Sequence, residues 1–245
     1  MFFRRKAILM IHGFVGGIYD YNNFQNELQL YKDFDVYTFT LSGHDKMIVS
    51  DVKYEDWLKD GESQIQFLIN NGYKEIFVIG HSMGGVIAVH LASKYKEVKK
   101  LVLVAPAFRY FNFKDGKINI KGFNDTVKSV PELFKNMGKE AVIERITKTP
   151  IPTMIEFTKL VDSCQKDLEL ITCPVLTIHG LSDMVAPSES TELVYKSIKS
   201  NTNILYNVKK MTHDCFRNER NKEIREIIVK FLRNNYIIKK EIIEI

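Results

Sequence analysis

Short apolar runs alternate with helical patterns along most of this sequence. The runs are rich in β-branched residues and bounded by glycine or proline, as is typical of strands buried on both faces. They cover residues 7–12, 35–41, 75–79, 100–105, 174–179 and, more weakly, 203–208. Helical spacing of apolar residues marks 55–70, 83–95, 188–199 and 221–235. This order predicts an α/β fold with a mostly parallel sheet of about six strands, flanked by helices.

The alternation stops between residues 108 and 167, a stretch we name the inserted segment. It is rich in aromatic residues, and its first part, 109–123, has the pattern of a β-hairpin with Asp115-Gly116 as the turn. Helical patterns follow near 125–137, 138–147 and 152–165. We therefore expect a cap or lid of residues 108–167, inserted between two parts of the core, 1–107 and 168–245. The tail, 237–245, fits either an extension of the last helix or a contact surface.

Composition limits the partners that this chain can have. Its 245 residues suit one α/β domain, and the formal net charge of +5 comes from interspersed lysines and glutamates, which argues against nucleic-acid binding. No apolar stretch is long enough to span a bilayer, and the basic and apolar start lacks a cleavage site. Three cysteines without a C-x-x-C pair favour a reducing compartment. We expect a cytoplasmic protein without stable membrane insertion, either a monomer or a homodimer.

A serine lies between glycines at the junction of a predicted strand and a predicted helix. The pattern is Gly80-x-Ser82-x-Gly84, after residues 75–79 and before 83–95. A sharp strand-to-helix turn needs small neighbours and pushes the serine hydroxyl out of the fold. The alternative is a glycine-rich turn with an incidental serine. The position between strand and helix favours Ser82 as a nucleophile.

A serine nucleophile needs a base, and the base needs an orienting acid. The carboxyl ends of parallel strands meet at one edge of a sheet, so both partners should follow later strands. Asp183 follows the run 174–179, and His213 follows 203–208. The weaker candidates are the acids Asp162, Asp167 and Asp214, the histidines His12, His44, His81, His90 and His179, and the thiol of Cys215.

Four motifs in this order resemble the α/β-hydrolase-fold serine hydrolases, in particular small bacterial carboxylesterases and monoacylglycerol-lipase-like enzymes. They are "HGF" at 12–14, "GHSMGG" at 80–85, "HGLSDMVAP" at 179–187, and the late His213. The resemblance implies hydrolysis of acyl esters through an acyl-serine. It also implies an oxyanion hole made by the backbone N–H groups of Phe14 and Met83. In the turn "LSGHD" at 41–45, Ser42 and Asp45 depart from the family pattern. This departure concerns the wall of the expected pocket and not the chemistry.

The expected function is therefore that of a carboxylesterase acting through Ser82, Asp183 and His213. The apolar inserted segment favours a small-molecule ester with a short or medium acyl chain, or a monoacylglycerol-like ester. Acyl transfer, thioester hydrolysis and carbon–carbon bond hydrolysis use the same residues, and a non-catalytic ligand-binding protein is a further alternative. No cofactor is expected, and no histidine, cysteine and aspartate cluster in the sequence has metal-ligand spacing.

Overall fold

Seven parallel strands form one sheet in the computed structural model, which describes residues 6–46, 48–109, 113–114, 117–118, 148–183, 185–234 and 239–245. Its strands are β1 (Lys6–Ile11), β2 (Phe34–Thr38), β3 (Ile76–His81), β4 (Val98–Val104), β7 (Val175–Gly180), β8 (Thr202–Val208) and β9 (Lys239–Glu244). A separate antiparallel pair comprises β5 (Phe113–Lys114) and β6 (Lys117–Ile118). The helices are α1 (Phe24–Gln29), α2 (Tyr54–Asn70), α3 (Met83–Lys94), α4 (Ile151–Cys164), α5 (Ser188–Ser197) and α6 (Asn221–Arg233).

Each central strand contributes to two apolar clusters, one on either face of the sheet. In β1, Leu9 belongs to the cluster that includes residues of α2, α3, α4 and α5. Its neighbour Met10 belongs to the cluster with residues of α1 and α6. This division follows from the two-residue side-chain period of a strand. It explains why the buried strands read as continuous apolar runs, and it confirms the predicted parallel α/β fold.

The sheet has one strand more than the sequence predicted. The strand order is β2-β1-β3-β4-β7-β8-β9, and the additional strand, β9, comes from the tail. It pairs in parallel with β8, with Thr202 opposite Lys239 and Asn207 opposite Glu244. The predicted number of strands, about six, was one too small because the tail "IIKKEIIEI" fits a helical period as well as a strand period.

The strand order creates a crevice at the carboxyl end of the sheet. The chain runs from β1 to β2 on one side and then returns to β3 on the other side of β1. Loops after these strands diverge at such a switch point, which leaves room for a ligand. The loops after β1, β3, β7 and β8 all open at this edge of the sheet.

The described parts of the inserted segment agree with the expected elements. Strands β5 and β6 pair antiparallel around residues 115–116, as the hairpin pattern predicted. Helix α4 covers most of the predicted helix 152–165, and the predicted helices near 125–137 and 138–147 lie outside the described residues. In the described part of the chain, no helix is long and apolar enough to cross a membrane.

Candidate active site

Ser82 lies at the turn between β3 and α3 with a left-handed backbone. Its φ is 55° and its ψ is −119°, a conformation that costs a non-glycine residue of order 1–3 kcal/mol. Three hydrogen bonds hold the turn. The Ser82 N–H donates to the carbonyl of Val104 at 3.0 Å, and the Ser82 carbonyl accepts from Gly85 at 2.9 Å and Ala107 at 3.2 Å. The strained serine is thus fixed between β4 and the first turn of α3.

The glycines on either side of Ser82 are required by close backbone contacts. A Cβ on Gly80 would lie 2.3 Å from the carbonyl oxygen of Gly84. A Cβ on Gly84 would lie 2.1 Å from the carbonyl oxygen of Ile11, at the end of β1. Strand β1 and helix α3 therefore pack at a distance that only glycine permits. This contact brings the loop after β1 alongside the serine.

Asp183 and His213 form a hydrogen-bonded pair across the ends of β7 and β8. The Oδ2 atom of Asp183 accepts from Nδ1 of His213 at 2.8 Å, and its Oδ1 atom accepts from the N–H groups of Val185 and Ala186. The Asp183 side chain is 0% exposed and that of His213 is 17% exposed. Burial disfavours the carboxylate, but the His213 ring and the two N–H groups outweigh it, so the pKa of Asp183 lies below its ordinary value.

Two further histidines surround this pair. Nε2 of His81 donates to the carbonyl oxygen of His213 at 3.0 Å, which ties the loop after β8 to the residue before Ser82. The rings of His81 and His213 have centroids 5.1 Å apart. His179, at the end of β7, is buried, and burial lowers its pKa below the ordinary value. No sequence pattern indicates the His81 contact, because it depends on the positions of two separate loops.

The loop after β1 is held by two histidines in the same tautomer, each accepting through Nε2 and donating through Nδ1. His12 accepts from the Leu41 N–H through Nε2 and donates to the Gly13 carbonyl through Nδ1. His44 accepts from the Val15 N–H through Nε2 at 3.2 Å. These contacts agree with the prediction that His12 holds the loop by hydrogen bonding. The role of His44 was not predicted, because its turn departs from the family pattern.

Phe14 lies in this loop and connects it with the inserted segment. Its ring stacks on Phe157 of α4 with centroids 5.2 Å apart, and it meets Trp57 of α2 edge to face. Among the described residues, neither the Phe14 N–H nor the Met83 N–H has a hydrogen-bond acceptor. Met83 begins α3, so its N–H also lies at the positive end of the helix dipole. The assignment of both groups to an oxyanion hole next to Ser82 stays a prediction.

The carboxylate of Asp20 also supports the loop after β1. Asp20 accepts from the Gly17 N–H at 3.3 Å, and its Oδ2 atom lies where a Cβ on Gly16 would stand. Burial raises the pKa of Asp20 above its ordinary value, while His12 and Arg217 act in the opposite direction. Sequence reasoning missed Asp20 because its position, six residues beyond Phe14, has no motif of its own.

The structure thus brings Asp183 and His213 into direct contact and sets both at the same sheet edge as Ser82. The glycine contacts place the loop of Phe14 beside the serine, where a Cβ on Gly13 would lie 3.1 Å from the Ser82 Cβ. Among the competing acids, Asp167 is bonded to His90 instead, and Asp214 lies 3.6 Å from Arg217. Cys215 is a buried free thiol, hydrogen-bonded to the carbonyls of Thr212 and His213.

Known proteins are similar to this chain over most of its length. A carboxylesterase of Bacillus subtilis is 21% identical over 80% of this chain and 79% of its own length. A thermostable monoacylglycerol lipase of a Bacillus species is 24% identical over 79% of this chain and 77% of its own length. The structure of a metagenome-derived lipolytic enzyme matches with a TM-score of 0.73 at 20% identity, covering 94% of both chains. The family model described as "serine aminopeptidase, S33" matches residues 4–221. The chain therefore belongs to this S33 family of α/β hydrolases.

Proposed function

We propose that this protein is a carboxylic-ester hydrolase that acts through an acyl-serine on Ser82. The observation that carries the proposal is the buried Asp183, bonded at 2.8 Å to His213, at the same sheet edge as the strained serine turn. The strained backbone of Ser82 costs free energy in the folded protein. An acid fixed in this way orients an imidazole and stabilises its protonated form, which is the requirement of serine acylation.

In the proposed acylation step, the Oγ atom of Ser82 attacks the ester carbonyl carbon. His213 takes the hydroxyl proton as the new C–O bond forms, and Asp183 stabilises the imidazolium. The carbonyl oxygen becomes an oxyanion that accepts hydrogen bonds from the N–H groups of Phe14 and Met83. A preorganised donor of this kind lowers an acyl-transfer barrier by about 3–4 kcal/mol.

Collapse of the tetrahedral intermediate breaks the bond to the leaving alcohol. His213 returns the proton to the alcohol oxygen, and the acyl group remains on Ser82. Water then attacks the acyl-serine, with His213 again as the base. The acid is released, and the serine regains its proton.

The substrate belongs to the class of small esters with an apolar acyl group. The carboxylesterase and monoacylglycerol lipase among the relatives support a short or medium acyl chain or a monoacylglycerol-like ester. The aromatic contacts of Phe14 with Phe157 and Trp57 support an apolar wall next to the oxyanion loop. The inserted segment, 108–167, is proposed as the cap over this wall.

The compartment and the assembly are part of the same proposal. Cys164, Cys173 and Cys215 are free thiols, which supports a reducing compartment, the cytoplasm. We propose that the protein is a monomer or a homodimer. Light scattering coupled to size-exclusion chromatography measures its molar mass and so distinguishes the two.

The test compares the parent protein with Ser82→Ala and with a control, Ser93→Ala. Ser93 lies on the same helix, α3, and its hydroxyl donates to the His90 carbonyl of that helix. We expect fluorophosphonate labelling and p-nitrophenyl butyrate turnover in the parent and in Ser93→Ala. In Ser82→Ala, labelling should vanish and kcat should fall by about a thousandfold or more.

Two results would redirect the proposal. Labelling of the parent without ester turnover would keep Ser82 as the nucleophile and favour thioesters, amides or other acyl acceptors, which a substrate panel distinguishes. A folded parent that takes no label would contradict the role of Ser82 and favour a ligand-binding protein.

A further inference from the structure

A second cluster of ligand-bearing side chains lies two turns along α3 from the serine. It comprises His90 of α3, Cys164 at the end of α4, and Asp167 in the 3₁₀ turn that follows. One nitrogen, sulfur or oxygen atom of each lies within 4.8 Å of the others. Cys164 and Asp167 are buried, and His90 is largely so. The proposed esterase mechanism uses none of these groups.

The His90 ring is held between two carboxylates. Nε2 lies 2.9 Å from Glu62 of α2, and Nδ1 lies 2.8 Å from Asp167. Ionised carboxylates only accept hydrogen bonds, so each ring nitrogen that faces one must carry a proton or a metal ion. Lys94 also contacts Glu62, at 2.6 Å, and neutralises that carboxylate. Glu62 and Lys94 thus form the kind of outer support that fixes a metal-bound histidine ring.

The spacing of the three ligand atoms suits one small cation. If three atoms lie within 4.8 Å of one another, a central point lies at most about 2.8 Å from each of them. Zinc bonds to sulfur at about 2.3 Å and to nitrogen or oxygen at about 2.0–2.2 Å. Nδ1 of His90 and Oδ2 of Asp167 are 2.8 Å apart, so this pair would separate by roughly half an ångström around the ion while the Cys164 sulfur closes on it.

The surroundings supply the remaining requirements. A groove of about 390 Å³ reaches two of the three ligands, His90 and Asp167, so a water can enter as fourth ligand. Its wall also includes Glu62, Ser163 and two lysines, Lys59 and Lys166. One thiolate and one aspartate balance a divalent cation, and Glu62 is balanced by Lys94. A thiolate with an imidazole favours zinc over magnesium or calcium, which prefer oxygen ligands.

We propose that His90, Cys164 and Asp167 bind one zinc ion, with Glu62 orienting the His90 ring. The ion would join α3 to the end of α4, and so hold the inserted segment against the core. Binding displaces the proton of the Cys164 thiol and any proton on Nδ1 of His90, and both protons pass to solvent. Zinc affinity should therefore increase with pH.

Burial works against the thiolate when no metal is present. It raises the pKa of Cys164 to about 12, with the charge of Asp167 adding to the effect. A bound cation stabilises the thiolate directly and reverses this preference. The sequence predicted no metal site because His90 and Cys164 lie far apart along the chain and on different helices.

The experiment titrates chelator-treated full-length protein with cobalt and then with zinc. Cobalt bound to Cys164 should produce a thiolate charge-transfer band in the near ultraviolet, and one equivalent of zinc should remove it. Cys164→Ser and Asp167→Asn should lose the band or weaken zinc binding at least tenfold. Cys173→Ser is the matched control, because Cys173 is a free thiol outside the cluster, and it should bind like the parent.

A cobalt spectrum of the parent without a thiolate band would overturn the proposal, and so would unchanged zinc stoichiometry in folded Cys164→Ser. His90 would then be an imidazolium bridging two carboxylates. The parent spectrum decides the question even if a variant fails to fold, which circular dichroism monitors. Ser82→Ala should bind zinc like the parent, so this result stands apart from the esterase proposal.

Discussion

The two carboxylate oxygens of Asp183 have separate tasks. Oδ1 accepts two backbone N–H groups of its own loop, which fixes the side chain, and Oδ2 is left for Nδ1 of His213. Because the side chain is fully buried, water does not compete for either oxygen. The geometry thus selects the His213 tautomer whose Nε2 is free to accept a proton.

Replacing this acid tests its role directly. In Asp183→Asn, the amide oxygen can still accept from Val185 and Ala186, so the loop should remain folded. The amide NH₂ group would face Nδ1 of His213 and favour the wrong tautomer. We expect kcat for p-nitrophenyl butyrate to fall by about 10³–10⁴-fold with little change in thermal stability.

Asp214→Asn serves as the control for this prediction. Asp214 adjoins His213 in sequence but faces Arg217 in the structure. We expect its kcat to stay within about threefold of the parent value. Equal losses in both variants would contradict the assignment of Asp183 as the orienting acid.

Single residues at strand ends could be predicted because each has a sequence signal. Ser82 has its flanking glycines, and Asp183 and His213 each lie in the short loop after an apolar run. Contacts between loops have no such signal. The hydrogen bond from His81 to the His213 carbonyl depends on how two separate loops meet. The position of Asp20 likewise depends on the fold of its loop, and no local sequence pattern encodes either feature.

At the level of elements, β4 and α6 are joined by a buried lysine. The ammonium group of Lys100 donates to the carbonyl oxygens of Phe231, Leu232 and Asn234, which the end of a helix leaves without partners. Lys100 is 6% exposed, and burial lowers its pKa to about 8. The apolar pattern of residues 100–105 gave no reason to expect a buried charge at the start of that strand.

This lysine should make the stability of the protein increase with pH. Its folded-state pKa lies below the unfolded value, so between about pH 8 and 10.5 the unfolded chain binds more protons, and the free energy of unfolding rises. Below pH 8 both states are protonated, and the contribution is constant. Relative to Lys100→Met, we expect a gain of about 2–3 kcal/mol between pH 7 and 10, measured by urea unfolding.

The comparison with Lys100→Met removes the effect of other titrating groups. Lys230→Met, on the exposed side of α6, is the matched control and should follow the parent curve. Parallel curves for the parent and Lys100→Met would show that Lys100 titrates at the same pH in the folded and unfolded states.

At the scale of the whole molecule, one edge of the sheet is β9, a strand that the sequence patterns did not predict. The central strands were predictable because burial on both faces demands continuous apolar residues. Strand β9 is an edge strand with alternating partial exposure, so its apolar residues are few and carry no clear period. Its direction and register come from pairing with β8, which follows from the tertiary fold.

The register of β9 can be tested with two adjacent isoleucines. Ile243 packs against the cluster beneath α6, whereas Ile242 is 56% exposed. Ile243→Thr should lower the free energy of unfolding by about 1 kcal/mol, because it removes apolar contacts and places a hydroxyl next to the core. Ile242→Thr should change it by less than about 0.5 kcal/mol. A register shifted by one residue would reverse the two effects, so urea unfolding of both variants distinguishes the two registers. Equal effects would indicate that the tail does not form a strand with one buried face.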